Sequence, residues 1–288
     1  MPTLAIVLVL TAALFHTLRD FTTKQTSDKL LFVWWISPIS QLMLAPLSLY
    51  FLFTTQPSWG TLGFAVAMGL VHSSYWTFYA KAYEKGDISH VYPIIHSAPA
   101  FVLIFGVLFL AEDPSWNGVL GILLTTCGLY FINLKKLSLK TLLEPFLAIF
   151  KEEHIQFAFL ALIMVVATNV LDKKAVSELH PLVYASVMSV SGLIFFTFFI
   201  RKKVKSHWMR PWQEERGKAL AGALFGSINY PLTLFALQLT HASYVAGLKQ
   251  IGVVFASILG VVFLKERLSL LRVCSALLIF VGALLIAY

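Results

Sequence analysis

Ten apolar runs of about 16–23 residues divide this chain of 288 residues, and they leave few folds open to it. A run of ~20 apolar residues makes a helix long enough to cross a ~30 Å hydrocarbon core. The runs fall at about Thr3–Leu18, Leu31–Phe53, Gly60–Ala82, Ile88–Leu110 and Asn117–Ile132, then Gln156–Leu171, Pro181–Ile200, Ala219–Leu239, Ala242–Leu264 and Leu270–Tyr288. They are continuous rather than alternating, which excludes a transmembrane β-barrel. Only 12% of the residues are charged, against ~25% in a soluble domain. The expected fold class is an all-α polytopic membrane protein of ten transmembrane helices.

The loops set an orientation. Alternate loops with the span ends beside them, starting with the one after span 1, hold 3, 2, 4, 7 and 3 Lys and Arg residues, Lys81 and Arg272 among them; the opposite side holds only Lys173 and Lys174. By the positive-inside rule the basic side is cytoplasmic, so both termini are expected outside. Span 1 has no basic residue before it and Arg19 and Lys24 after it, the reverse of a secretory signal, so it reads as a retained span. The net charge of +8 is accounted for by these loops. No RRM, KH or zinc-finger spacing occurs, and no nucleic-acid partner is expected. The two cysteines, Cys127 and Cys274, read as small buried hydrophobes rather than a disulfide framework.

The second half repeats the first. Shifted by 154 residues, "SHVYPIIHSAPAFVLIFGVLFLAEDPS" from Ser89 lies without a gap on "SYVAGLKQIGVVFASILGVVFLKERLS" from Ser243. Gly106/Gly260, Glu112/Glu266 and Ser115/Ser269 are among the identities. The division is residues 1–134, a charged linker 135–153, and residues 154–288. Five spans per half is an odd number, so the second half is inverted. Inverted repeats are a common plan of secondary transporters, with the site near the midplane between the halves.

Two five-span halves, each with a helix ending in Leu-x-Glu (Leu110-Ala111-Glu112 and Leu264-Lys265-Glu266), resemble the drug/metabolite transporter superfamily, and within it the ten-span EamA-type branch. "VYPIIHSAPAFV" and "SYVAGLKQIGVVFA" look like its fourth and ninth helices. The resemblance covers the whole chain and implies transport. It does not name a substrate, because the superfamily moves amino acids, nucleotide sugars, sugar phosphates and cations. Phosphate-translocating relatives carry a basic pair in the ninth helix. Here Lys249 matches the first of the pair and Gln250 stands in place of the second, which fits a carboxylate better than a dianionic phosphate.

The helical spacing points the same way. Ala242, Ala246, Lys249, Gly252, Ala256 and Gly260 form a small-residue stripe on span 9, and Tyr244, Leu248, Ile251, Phe255, Leu259 and Val262 form a bulky one. Small faces pack on protein or line a cavity, so the bulky stripe is expected in lipid and Lys249 inside. A charge within a span marks a candidate functional site. On span 3, His72, Tyr75, Trp76 and Tyr79 share a face; the repeat positions on span 8 include Asn229 and Tyr230. Tyr92 and His96 are the repeat partners of Ala246 and Gln250. These ten residues, with Lys249 first, are the candidate substrate-binding set. His16 and Asn169, near span ends, are candidates for ion coupling. No acid falls at the centre of any span as delimited above, which disfavours a cation–proton antiporter, and Glu112 and Glu266 read as structural.

No His-Glu-x-x-His or nucleophile–base spacing occurs, so no catalytic residue, metal or cofactor is expected. The expected function is a secondary transporter, an exporter or exchanger, of a small polar metabolite bearing a carboxylate, such as an amino acid or organic acid. Phosphorylated or phosphonate metabolites, or a non-transporting membrane protein, are the alternatives. The expected setting is the bacterial cytoplasmic membrane, as a monomer or homodimer, with a small-molecule substrate and the lipid bilayer as partners.

Overall fold

A computed structural model describes residues 1–85, 88–132, 152–265 and 269–288. The described residues are helical, with no strand among them. Spans 1, 2 and 3 are α1 (Thr3–Lys24), α2 (Lys29–Thr55) and α3 (Trp59–Lys85). Span 4 is divided into α4 (Ile88–Ile95) and α5 (Ala98–Leu110), and span 5 is α6 (Trp116–Phe131). Spans 6 and 7 are α7 (Glu153–Glu178) and α8 (Pro181–Phe199). A short α9 (Arg201–His207) precedes span 8, α10 (Arg210–Leu239). Span 9 is divided into α11 (Ala242–Leu248) and α12 (Ile251–Leu264), and span 10 is α13 (Leu270–Ala287). Eight of these spans are long and apolar enough to cross a membrane by length and hydropathy alone. Span 5 is shorter, at 16 residues, and span 3 carries the polar His72–Tyr83 stripe along its 27 residues.

The packing has the symmetry of the repeat. A two-fold relating the halves sends span n to span n+5. Spans 1 and 8 pack together, as do their images, spans 6 and 3. Spans 2 and 8 pack together, as do spans 7 and 3. Spans 5 and 10, and spans 2 and 7, are each other's images and also pack. At the 5/10 contact the backbones touch. A Cβ on Gly121 would stand 2.5 Å from the Gly282 carbonyl oxygen, and one on Gly128 would stand 2.8 Å from the Ser275 carbonyl oxygen. Gly121/Ser275 and Gly128/Gly282 are repeat partners, so this is one contact made twice. In lipid, where apolar burial gives no drive between helices, such close approach is what holds them together.

The repeat's identities have local causes. Ser115 and Ser269 each cap the following helix, accepting from the N–H of Gly118 and Arg272 respectively. Ala111 and Lys265 both take left-handed φ, 52° and 54°, with cap N–H groups on the carbonyls of Gly106 and Gly260. Glu112 is more than a turn former. Its buried carboxylate crosses to the other half, accepting from the backbone N–H of Ala242 and from the Ser243 hydroxyl at 2.7 Å. It thereby satisfies the open N–H groups at the start of span 9. Glu112→Ala should lower stability by about 2–3 kcal/mol, because buried donors lose their charged acceptor; thermal unfolding in detergent checks this. Glu266 and residues 133–151, which hold most of the linker, lie outside the described residues.

Two expectations about faces change. The bulky stripe of span 9 does not meet lipid in its first half: Tyr244, Leu248 and Ile251 are buried, with Leu248 2% exposed. Tyr244 instead accepts from the Ser115 N–H at 2.7 Å. Only beyond Ile251 does the span reach the surface, where Ala256 of the small stripe is exposed with Ile258, Val262 and Phe263. The break in the helix rotates the second half relative to a straight extrapolation. Cys127 and Cys274 are free and exposed rather than buried; on helices flanked by lipid-facing side chains a thiol needs no protein cover.

Candidate functional site

Spans 4 and 9 break at nearly equivalent places, and the breaks position the central side chains. In span 9 the i→i−4 ladder gives way to i→i−3 bonds: Gln250 N–H to Gly247 O, Gly252 N–H to Lys249 O and Val253 N–H to Gln250 O. In span 4 the same shift occurs at Ser97 N–H to Ile94 O and Ala100 N–H to Ser97 O. Such tight turns within a helix recur at functional sites. Pro93 and Pro99 account for the break in span 4. Span 9 has no proline and breaks between Gly247 and Gly252.

Lys249 lies in the turn of span 9. Its ammonium donates to the Thr233 hydroxyl of span 8 at 3.0 Å. One turn later span 1 closes on the same helix: the Thr17 hydroxyl reaches Gly252 O at 3.0 Å, and a Cβ on Gly252 would stand 3.0 Å from that hydroxyl. Gln250 is turned onto its own helix, donating to Ala246 O at 3.1 Å, and Tyr92 stacks on His96 with ring centroids 3.7 Å apart.

A second group surrounds Arg19 of span 1. Arg19 donates to Asp20 at 2.9 and 3.2 Å, its Nη2 lies 3.0 Å from His16 Nδ1, and its guanidinium sits 5.9 Å from the centre of the Trp76 ring. The rings of Tyr75, Trp76 and Tyr79 are in mutual contact, and Tyr79 continues to Tyr83. Tyr75 and Tyr79 pack on the central apolar core rather than forming an interfacial belt.

The third group centres on Asp172, 5% exposed. Its carboxylate accepts from the Tyr184 hydroxyl at 2.5 Å and the Tyr230 hydroxyl at 3.0 Å, and His72 Nε2 lies at 3.1 Å. Four helices, spans 3, 6, 7 and 8, contribute one residue each. His72 and Tyr230 were legible in the sequence; Asp172 and Tyr184 were not in the candidate set. The reason is a boundary. Ending span 6 at Leu171, before the first charge, leaves Asp172 at the edge of the span, but the helix continues to Glu178. Residues His180 and Pro181, a cap and a first-turn proline, are the sequence signal that the next helix starts only there. The same error ended span 1 at Leu18, whereas the helix runs to Lys24 and carries Arg19 and Asp20 inside it. Asn169 does not join the group: its amide donates to Val165 O at 2.7 Å on its own helix. Asn229 is buried with its Oδ1 unpartnered.

The groups communicate. Tyr230 and Thr233 are one turn apart on span 8, so the partner of Asp172 and the partner of Lys249 share a helix face. The repeat also reveals an asymmetry. Leu18 is the counterpart of Asp172, Gly226 of His72, Trp76 of Tyr230 and Arg19 of Lys173. Lys173 is turned away, donating to the carbonyls of Leu237 and Thr240 at the end of span 8. One half therefore places a cation over an aromatic ring where the other places a carboxylate among hydroxyls.

No curated protein sequence matches the chain. A solved crystal structure of a protein 15% identical in sequence superposes with a TM-score of 0.72, covering 98% of this chain and 96% of that one, which shows a shared fold. The model of the EamA-like transporter family matches residues 3–134 and again 154–288, one copy per half. The chain belongs to the EamA-like transporter family, membrane transporters of small molecules.

Proposed function

We propose that the protein is a secondary transporter for a small metabolite with an anionic group, a carboxylate foremost, and that Lys249 is the group that binds it. The supporting observation is the placement of Lys249: a cation in the broken helix of span 9, held by one neutral hydroxyl. An ammonium inside a membrane protein needs a counter-charge at hand. Among the described residues, Arg19 has one in contact, Asp20, and Lys249 has none; a substrate carboxylate replacing Thr233 would supply it. The aromatic side chains of span 3 would then border the rest of the molecule. The halves rock about the site to expose it alternately, and the net direction follows the gradients of the transported species.

A second reading, a phosphorylated or phosphonate substrate, draws on Arg19. It supplies the second cation that Gln250 does not, provided the substrate displaces Asp20 from it. A thermal-shift screen of the purified protein against amino acids, organic acids, phosphorylated metabolites and phosphonates separates the two. A stabilising carboxylate whose effect disappears in Lys249→Gln supports the first reading. Stabilisation that persists undiminished in that variant would overturn the site assignment. Thr233→Val, which keeps the shape and removes the hydroxyl, should change the apparent affinity of the stabilising compound by no more than about tenfold, the worth of one neutral hydrogen bond.

A further inference from the structure

Residues 201–218, between spans 7 and 8, hold seven of the chain's 22 Lys and Arg residues and only two acids. Both acids are engaged within the fold. Glu214 accepts from Arg210 Nε at 3.1 and 3.2 Å. Glu215 lies 3.6 Å from Lys218 and accepts from the Ser27 N–H at 3.3 Å. Arg201, Lys202, Lys205 and Arg216 are exposed. Aromatic side chains fix the depth of this segment. Trp35 of span 2 stacks on Trp208 and Trp212, with ring centroids 6.1 and 5.4 Å apart, and its Nε1 donates to Trp208 O at 2.5 Å. Trp208 remains 47% exposed. The Arg201 guanidinium sits 5.2 Å from the centre of the Phe198 ring, an exposed side chain in the last turn of span 7. A half-exposed tryptophan, and an arginine lying over a lipid-facing ring, belong at the level of the headgroups. Arg201, Lys205 and Trp208 follow at steps of four and three, so they share one face of α9 and its cap. Glu215 leaves the helical region (φ −138°, ψ 26°), so residues 210–214 do not continue the axis of span 8.

We propose that the segment from Arg201 to Arg216 is a docking surface for the headgroups of anionic phospholipids in the adjoining leaflet. The charge complementarity is direct. Each Lys or Arg held near an anionic bilayer surface is worth about fivefold in affinity. A zwitterionic headgroup carries its own cation and gains little from the same face. The ligand is a lipid rather than a free phosphate because the surface has two parts. Beside the cations lie Phe198 and Phe199, 65% and 48% exposed, where the acyl chains of a bound lipid would run. The stacked tryptophans hold the two parts in register, since Trp208 is fixed to span 2 and follows α9 directly.

The test needs no transport substrate. Detergent-purified full-length protein is titrated with dioleoyl phosphatidylglycerol or dioleoyl phosphatidylcholine, and lipid adducts are counted by native mass spectrometry. The two lipids share their acyl chains, so the ratio of their affinities reads the headgroup alone. Phosphatidylglycerol should bind about tenfold more tightly, and the preference should shrink as ionic strength rises, because exposed charges are screened. The triple variant Lys202→Gln, Lys205→Gln and Arg216→Gln should bring the two lipids within about twofold of each other. The control triple Lys81→Gln, Lys174→Gln and Lys265→Gln removes the same charge elsewhere and should keep the preference. Glycerol 3-phosphate should not displace the lipid. Equal binding of the two lipids, a preference that survives the first triple variant, or one lost equally in the control overturns the proposal. Displacement by glycerol 3-phosphate overturns the assignment to a lipid. Should the triple variant fail to fold, Lys205→Glu alone decides: it reverses one exposed charge and should lower the preference by about fivefold or more.

Discussion

Vesicles reconstituted with Lys249→Gln protein are expected to transport the compound found in the thermal-shift screen with a KM about 10–100-fold higher than wild type. The magnitude follows from losing one charge-assisted hydrogen bond, worth about 1.5–3 kcal/mol. Gln keeps most of the length and can still donate to Thr233, so the helix break and its contacts should persist and the melting temperature should stay near that of wild type. Lys249→Arg keeps the charge but exchanges a compact ammonium for a planar fork. It should recover part of the affinity. Saturable counterflow measured across a range of concentrations gives KM directly. An unchanged KM in Lys249→Gln would remove Lys249 from the site, whatever the protein carries.

The largest effect on the fold is expected at the contact between spans 5 and 10. Gly121→Ala places a methyl 2.5 Å from the Gly282 carbonyl oxygen and 2.9 Å from the Ile286 backbone nitrogen. Backbone cannot rotate aside as a side chain can, so the helices must move apart. Overpacking of this kind costs about 1–3 kcal/mol for a methyl. Gly121→Leu should yield no monodisperse protein in size-exclusion chromatography. Gly282→Ala should behave like Gly121→Ala, since each glycine faces the other's backbone. Gly63→Ala is the control: its new methyl meets nothing within 4 Å, and helix propensity alone should make it neutral or stabilising by up to ~1 kcal/mol.

How much of this was legible differs by kind of signal. Apolar runs gave the number of spans, because length against bilayer thickness is a one-dimensional quantity. The ungapped match of Ser89–Ser115 to Ser243–Ser269 exposed the inverted repeat, and the structure supplies its causes in the Ser115 and Ser269 caps and the paired left-handed residues. Hydropathy misled where charge is buried. Arg19, Asp20 and Asp172 are polar enough to end a run on paper, but their charges are compensated by partners on their own or neighbouring helices, so the helices pass through them. Two of those partners, Tyr230 and His72, lie 58 and 100 residues from Asp172 and become its neighbours only in the fold. Helical spacing did not separate the faces of span 9: before the tight turn both stripes are buried, and the turn changes the phase of everything after it. The glycines of span 5 lay open in the sequence at Gly121 and Gly128, but nothing in a single strand of letters shows that a backbone approaches them.

The unequal endowment of the two halves has an energetic meaning. Were the repeats identical, the inward-open and outward-open forms would be the same structure seen from opposite sides of the membrane, and equal in free energy. Here one half carries Arg19 over Trp76 and the other Asp172 among Tyr184, Tyr230 and His72. Exchanging the roles of the halves exchanges these environments, so the two forms differ in free energy and the empty carrier has a resting side. A difference of 1.4 kcal/mol between the forms corresponds to roughly a tenfold preference, on the scale of a single charge-assisted hydrogen bond made in one form and lost in the other.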